Sequence, residues 1–198
     1  MKLSEFKING NEVTSEDINN IVNSVNKIFN DFKDNLTLGN KKIIFSRYNI
    51  GNYNQDFLHI SSLESKTKYD GTPYYTILPC NNTIYCNICN NCNTHRYNIT
   101  IRHKNRNKCL YRLSSIHIIP EIINLCNNDC KNIKLWILKE ISKGQLEEYV
   151  KIRYQFEDID YLLIFKNSTN FLYFITAYPV FEYREKKDLD LEFSRSKK

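Results

Sequence analysis

Three runs near the end of the chain alternate apolar and polar residues with a period of two: residues 149–156 (YVKIRYQF), 160–167 (DYLLIFKN) and 171–180 (FLYFITAYPV). Side chains of a strand point alternately to its two faces, so this alternation suits a sheet and not a helix. The runs are separated by Glu157-Asp158-Ile159 and by Asn167-Ser168-Thr169-Asn170. Links this short join neighbouring strands antiparallel, and an antiparallel meander is the expected core of the second half.

Upstream the period changes. Ile18, Ile21, Val22, Val25, Ile28, Phe29 and Phe32 recur at helical spacing, with Thr14 and Asp17 placed as an N-cap and an acidic first turn. A helix is expected from Thr14 to Phe32, then a short strand from Lys42 to Ser46. Phe57, Leu58, Ile60 and Leu63 suggest a short amphipathic helix or turn around His59. Strands are expected at Tyr74 to Leu78 and at Tyr97 to Arg102. Ile116, Ile118, Ile119, Ile122 and Ile123 mark a helix with Pro120 in its first turn. A second helix is expected from Asn132 to Ser142, around Trp136. Helices first and strands last give an α+β fold, N-terminal helices followed by a C-terminal antiparallel sheet.

A length of 198 residues suits one core with a small satellite. The expected organisation is therefore a single domain over 1–198 with an insertion at 72–110. The start of the chain shows no apolar signal core, and no run approaches the ~18 apolar residues of a membrane span. The protein is expected in the cytoplasm, with no membrane partner.

The insertion carries the most specific local pattern. Cys80, Cys86, Cys89 and Cys92 lie in the string CNNTIYCNICNNCNTH, with His95 at its end. Thiolates on tight turns converge on a single cation. Cys86, Cys89 and Cys92 form two overlapping Cys-x-x-Cys knuckles, and Cys80, His95 or Cys109 could complete a tetrahedron. Structural zinc, held by four of the five residues Cys80, Cys86, Cys89, Cys92 and Cys109, is the expected cofactor. An iron–sulfur run is not completed, because no Cys-Pro follows. Catalytic zinc usually needs a carboxylate base, and this segment has none nearby. Cys126 and Cys130 read as ordinary thiols near a helix end.

Charge sharpens the same region. Residues 71–120 contain no Asp or Glu, and their cations are Arg96, Arg102, Lys104, Arg106, Lys108 and Arg112. Those six account for the whole net charge of +6, since the rest of the chain balances. A polyanion is the natural partner, with Tyr97 and Tyr111 available for base stacking. There is no glycine-rich phosphate loop, His-Glu-x-x-His or Gly-x-Ser-x-Gly motif, which disfavours nucleotide-driven and common hydrolase chemistry.

Arg112-Leu-Ser-Ser-Ile-His-Ile-Ile-Pro-Glu-Ile-Ile, then Asp160-Tyr-Leu-Leu-Ile and Phe174-Ile-Thr-Ala-Tyr-Pro-Val, resemble the phage-associated branch of the barnase/EndoU/colicin/RelE-like nucleases. The resemblance covers roughly residues 108 to 185 and, more weakly, His59-Ile60. It implies a barnase/RelE-like α+β fold and metal-independent RNA cleavage by a toxin-like or phage-associated enzyme. His59 would then be the acid/base, Arg112 the phosphate clamp, and Thr176 and Tyr178 the polar pair ending the last core strand. Arg96, Arg102, Lys104, Arg106 and Lys108 would grip RNA, and an inhibitor or antitoxin protein could be a second partner. Two positions depart from the family pattern: Ser115 replaces a second Arg, and Ile118 an aromatic residue. His117 is an alternative to His59. A non-catalytic, zinc-dependent nucleic-acid binder is the competing class, and an interaction protein that meets an acidic partner is a third.

Overall fold

The computed structural model describes residues 15–67, 73–75, 99–101, 104–142 and 144–197. The order begins with helix α1 (Ser15–Lys33), strands β1 (Thr37–Leu38), β2 (Lys41–Ile44), β3 (Asn49–Ile50) and β4 (Tyr53–Asn54), and helix α2 (Gln55–Ile60). Strands β5 (Ser62–Thr67), β6 (Pro73–Tyr75), β7 (Ile99–Ile101) and β8 (Lys104–Lys108) precede helices α3 (Leu110–Ser114) and α4 (Ile118–Asn127). The chain then forms β9 (Ile133–Ser142), β10 (Gln145–Phe156), β11 (Ile159–Asn167), β12 (Phe171–Pro179) and helix α5 (Tyr183–Ser196). The fold class is α+β. The described residues divide into two compact units, one within Met1–Phe29 and Tyr48–His117, the other within Asn30–Arg47 and Ile118–Lys198.

In the first unit, the apolar stripe of α1 buries Val22, Val25 and Phe29 completely or nearly so. Phe29 meets Phe57 of α2 with ring centroids 5.6 Å apart, and Tyr53 stacks on Phe57 at 5.8 Å. Asn54 caps α2, its side chain accepting from the Asp56 amide at 2.9 Å. A four-stranded sheet follows in the order β6-β5-β8-β7. Its centre is the antiparallel pair β5 and β8, with Leu63 opposite Asn107 and Glu64 opposite Arg106.

The second unit is a six-stranded sheet, β1-β2-β12-β11-β10-β9, antiparallel except where β2 runs parallel to β12. One row of side chains buries Ile43, Val150, Ile152, Leu163, Phe165, Phe174 and Ala177. Phe45 stacks on Phe174 with centroids 4.6 Å apart. Trp136 and Leu162, on the opposite face, pack with Val180 and with Leu189 of α5. Between Phe165↔Phe174 and Ile164↔Thr176 the register shifts by one, leaving Ile175 unopposed as a β-bulge. The bulge resets the alternation. Phe174 and Ala177 share the buried row, and Thr176 and Tyr178 turn to the face that α5 packs against.

The helix expected from Asn132 to Ser142 is instead β9. Every residue from Ile133 to Ser142 pairs antiparallel with β10, and Gly144, at φ +77°, supplies the left-handed backbone that lets Ser142 meet Gln145. Ile133, Ile137 and Ile141 recur at spacing four and so imitate a helix face. The long register with β10 outweighs that local pattern, and β-branched Ile is at home in a strand. Arg112 lies on a helix, α3, as the resemblance implies; α5 has no counterpart among the expected elements, and β1 and β2 place N-terminal segments in the C-terminal sheet. The meander β10–β11–β12 lies where the alternation puts it, and β12 ends at Pro179.

Arg153 is 1% exposed and donates to both carboxylate oxygens of Asp160, at 2.8 and 2.7 Å. It also reaches the Lys186 carbonyl and Asp190, each at 3.1 Å, which ties α5 to the sheet. Burial opposes the guanidinium charge, but the bonds and charge of Asp160, then Asp190 and Glu185, outweigh it and raise the Arg153 pKa. Breaking one side of such a pair leaves a buried charge uncompensated. Asp160→Ala should therefore cost about 3–5 kcal/mol in urea unfolding, whereas the double variant Arg153→Met/Asp160→Leu should cost far less. Equal losses would contradict this account of the pair.

Candidate functional site

Apart from Arg153 and Asp160, the buried polar side chains among the described residues all lie in the first unit: Asn54, Asp56, Ser61, Ser62, Arg106, Arg112 and Ser114. A core that buries polar groups must pair them. The pairing centres on the turn from α2 into β5. Ser61 N–H donates to the Phe57 carbonyl, the Ser62 hydroxyl donates to the Leu58 carbonyl, and the Cys109 amide donates to the Ser61 carbonyl at 2.9 Å.

Arg106, reaching across from β8, closes the arrangement. Its Nε donates to Ser62 Oγ at 2.9 Å, and its Nη2 donates to the carbonyls of Ser62 and His59, both at 3.0 Å. Only a planar fork can serve three acceptors set side by side in this way. Arg112 approaches from α3, with Nη1 3.4 Å from the same Ser62 carbonyl. Two guanidinium groups thus meet at one oxygen, at the end of the helix that carries His59. His59 itself is half-buried in the last turn of α2.

Around this centre, the expected site residues separate into groups. Arg106, expected to grip RNA, is 6% exposed with its guanidinium bonded to Ser62 and His59. Lys108 is half-buried, with Nζ 3.3 Å from Asn19 Oδ1, and burial pushes its pKa down to about 8. It carries its positive charge below that pH and loses it above. Cys109 is buried at the N-cap of α3. Cys80, Cys86, Cys89, Cys92, His95, Arg96 and Arg102 lie outside the described residues, as does the side chain of Lys104.

Thr176 and Tyr178 belong to the second unit. Thr176 stands opposite Ile164 and Tyr178 opposite Leu162. The Tyr178 hydroxyl donates to Glu185 Oε1 of α5 at 2.9 Å, and its ring packs against the cluster of Trp136, Leu162, Val180 and Leu189. The structure therefore brings His59, Arg106 and Arg112 together in one unit and Thr176 with Tyr178 in the other.

Ser62 and Asp56 were not singled out from sequence. A Ser-Ser pair directly after an amphipathic turn, preceded by Asn-x-Asp in capping order, was the available signal. Chemically, the Ser62 centre sets two buried guanidinium groups against one backbone carbonyl at the end of the helix that carries His59.

No protein-family model, curated protein or solved structure matches this chain.

Arg106→Met should lower the unfolding free energy by about 2–3 kcal/mol, because three acceptors lose charged donors. Arg106→Lys keeps the charge without the fork and should recover only part of that. Urea titration of the three proteins checks it; indistinguishable stabilities would show that Arg106 does not hold this turn.

Proposed function

We propose that the chain is a metal-independent endoribonuclease of the barnase/EndoU/colicin/RelE-like kind, acting in the cytoplasm as a toxin-like or phage-associated enzyme. The observation that supports this most is the meeting of Arg106 and Arg112 at the Ser62 carbonyl beside the His59 helix. In this reading RNA supplies its own nucleophile. The ribose 2′-oxygen attacks the adjacent phosphorus, the bond from phosphorus to the 5′-oxygen breaks, and the products are a 2′,3′-cyclic phosphate and a free 5′-hydroxyl. A base takes the 2′-proton and an acid returns one to the 5′-oxygen, so protons balance and no metal takes part.

His59 is the proton carrier in the first unit. Arg112 binds the phosphate and stabilises the negative charge that grows on it, where a fixed cation contributes most. Arg106 is better suited to positioning than to RNA contact, since it holds the turn from which His59 and Arg112 work. Arg96, Arg102, Lys104 and Lys108 would track the RNA backbone. Thr176 and Tyr178 are assigned polar roles at the end of β12. Structural zinc, held by four of Cys80, Cys86, Cys89, Cys92 and Cys109, would order the 72–110 insertion. An inhibitor or antitoxin protein is a proposed second partner.

The commitment of Arg106 to backbone carbonyls also favours a second reading, a zinc-dependent nucleic-acid binder that does not cut. Incubation with total RNA in EDTA separates the two. The wild type should cleave, Arg112→Ala should be slower by about 10²-fold, and His59→Ala by about 10²–10⁴-fold. Tyr178→Phe reports on the β12 pair. Undiminished cleavage by both the His59 and Arg112 variants would overturn the assignment, and RNA retention without cleavage would install the second reading.

A further inference from the structure

β9 ends the six-stranded sheet, and no described strand pairs with its outer edge. A strand of ten residues left at an edge presents a row of backbone donors and acceptors that another strand can extend. Its odd-numbered side chains, Ile133, Leu135, Ile137, Lys139 and Ile141, share one face, and all but Lys139 are apolar. Leu135, Ile137 and Ile141 are 44%, 47% and 80% exposed, and Leu146, opposite Ile141 on β10, is 66% exposed. Lys139 is paired within the sheet to Glu148 at 3.1 Å, so the row is not broken by an unmatched charge. Natural edges of this length and character are normally blunted or covered.

We propose that β9 pairs antiparallel with β9 of a second copy of this chain, about a two-fold axis at Ile137. The strand's own charges choose both occupant and register. Keeping the two apolar rows on one side of the joined sheet requires odd residues opposite odd, which leaves two registers that use nearly the whole strand. With Ile137 opposite its own copy, Lys134 faces the partner's Glu140, and Ile133 faces the partner's Ile141. The symmetry repeats both contacts. With Leu138 at the axis, Glu140 would face the partner's Trp136 and Lys134 would face the partner's Ser142, and the Lys–Glu match across the seam would be lost.

Within one copy Glu140 stands directly opposite Glu147, whose own charge is met by Lys166 at 2.5 Å. The partner's Lys134 would set a cation against Glu140. Lys134 already donates to Asp190 at 2.7 Å, and its ammonium has two further protons to offer. A two-fold contact in which each copy presents the same self-matching patch is the usual route to a closed dimer.

Sedimentation equilibrium of the full chain should give twice the monomer mass, and Ile137→Lys should give a monomer with an unchanged far-UV circular dichroism spectrum. Glu140→Lys, which sets two cations against each other at each end, should weaken the dimer by about tenfold. The register is read by oxidation. Opposed residues of an antiparallel pair lie about 4.5–5.5 Å apart at Cα, within disulfide reach. Ile137→Cys should therefore add a covalent dimer absent from the oxidised wild type, and Leu138→Cys should not. A monomeric wild type into the high micromolar range, a dimer indifferent to Ile137→Lys, or cross-linking by Leu138→Cys in preference would overturn the proposal.

Discussion

Much of the first unit depends on one guanidinium. Arg106 binds the Ser62 hydroxyl, the Ser62 carbonyl and the His59 carbonyl together, and so fixes the end of α2, the start of β5 and the register of β8 in one act. Helix α3 is held by the same turn through the Cys109 amide and Arg112. A hydrophobic residue in place of Arg106 could fill the volume, but the buried acceptors would be left without donors. The cost of burying so many polar groups is what makes the geometry specific, because few other arrangements satisfy them all.

The second unit uses the same device at a different place. Arg153 and Asp160 neutralise each other inside the sheet, and Asp190 and the Lys186 carbonyl extend the network to α5. The bulge at Ile175 then decides what the sheet presents, turning Thr176 and Tyr178 toward α5 and away from the row of Phe174. A continuous alternation would have put them on the other face.

The parts of this fold that sequence reveals are those fixed by local periodicity. Helix α1 has an uninterrupted apolar stripe, and β10 to β12 alternate cleanly with short turns between them. β9 satisfies both periods, since Ile133, Ile137 and Ile141 mimic a helix face while Leu135, Ile137 and Ile141 line a strand. Only the pairing partner decides between the two. Helix α5 is hidden for the opposite reason: Leu189, Leu191 and Phe193 alternate as in a strand, among charges that give no apolar stripe. The Ser62 centre joins residues forty-four positions apart through a side chain and backbone carbonyls. The catalytic roles of its His59 and Arg112 come only through a family resemblance, Ser62 shows no more than a Ser-Ser pair after a capped turn, and the role of Arg106 shows nothing, because no spacing rule encodes a tertiary hydrogen bond.

If this polar centre serves RNA chemistry, the reacting group is the ribose 2′-hydroxyl. The most direct measurement is mass spectrometry of the products from a short RNA and from the same oligonucleotide with 2′-deoxy sugars throughout, both in EDTA. The RNA should give fragments ending in 2′,3′-cyclic phosphate, and the deoxy strand should stay intact. Cleavage of the deoxy strand, or 5′-phosphate ends from the RNA, would contradict it.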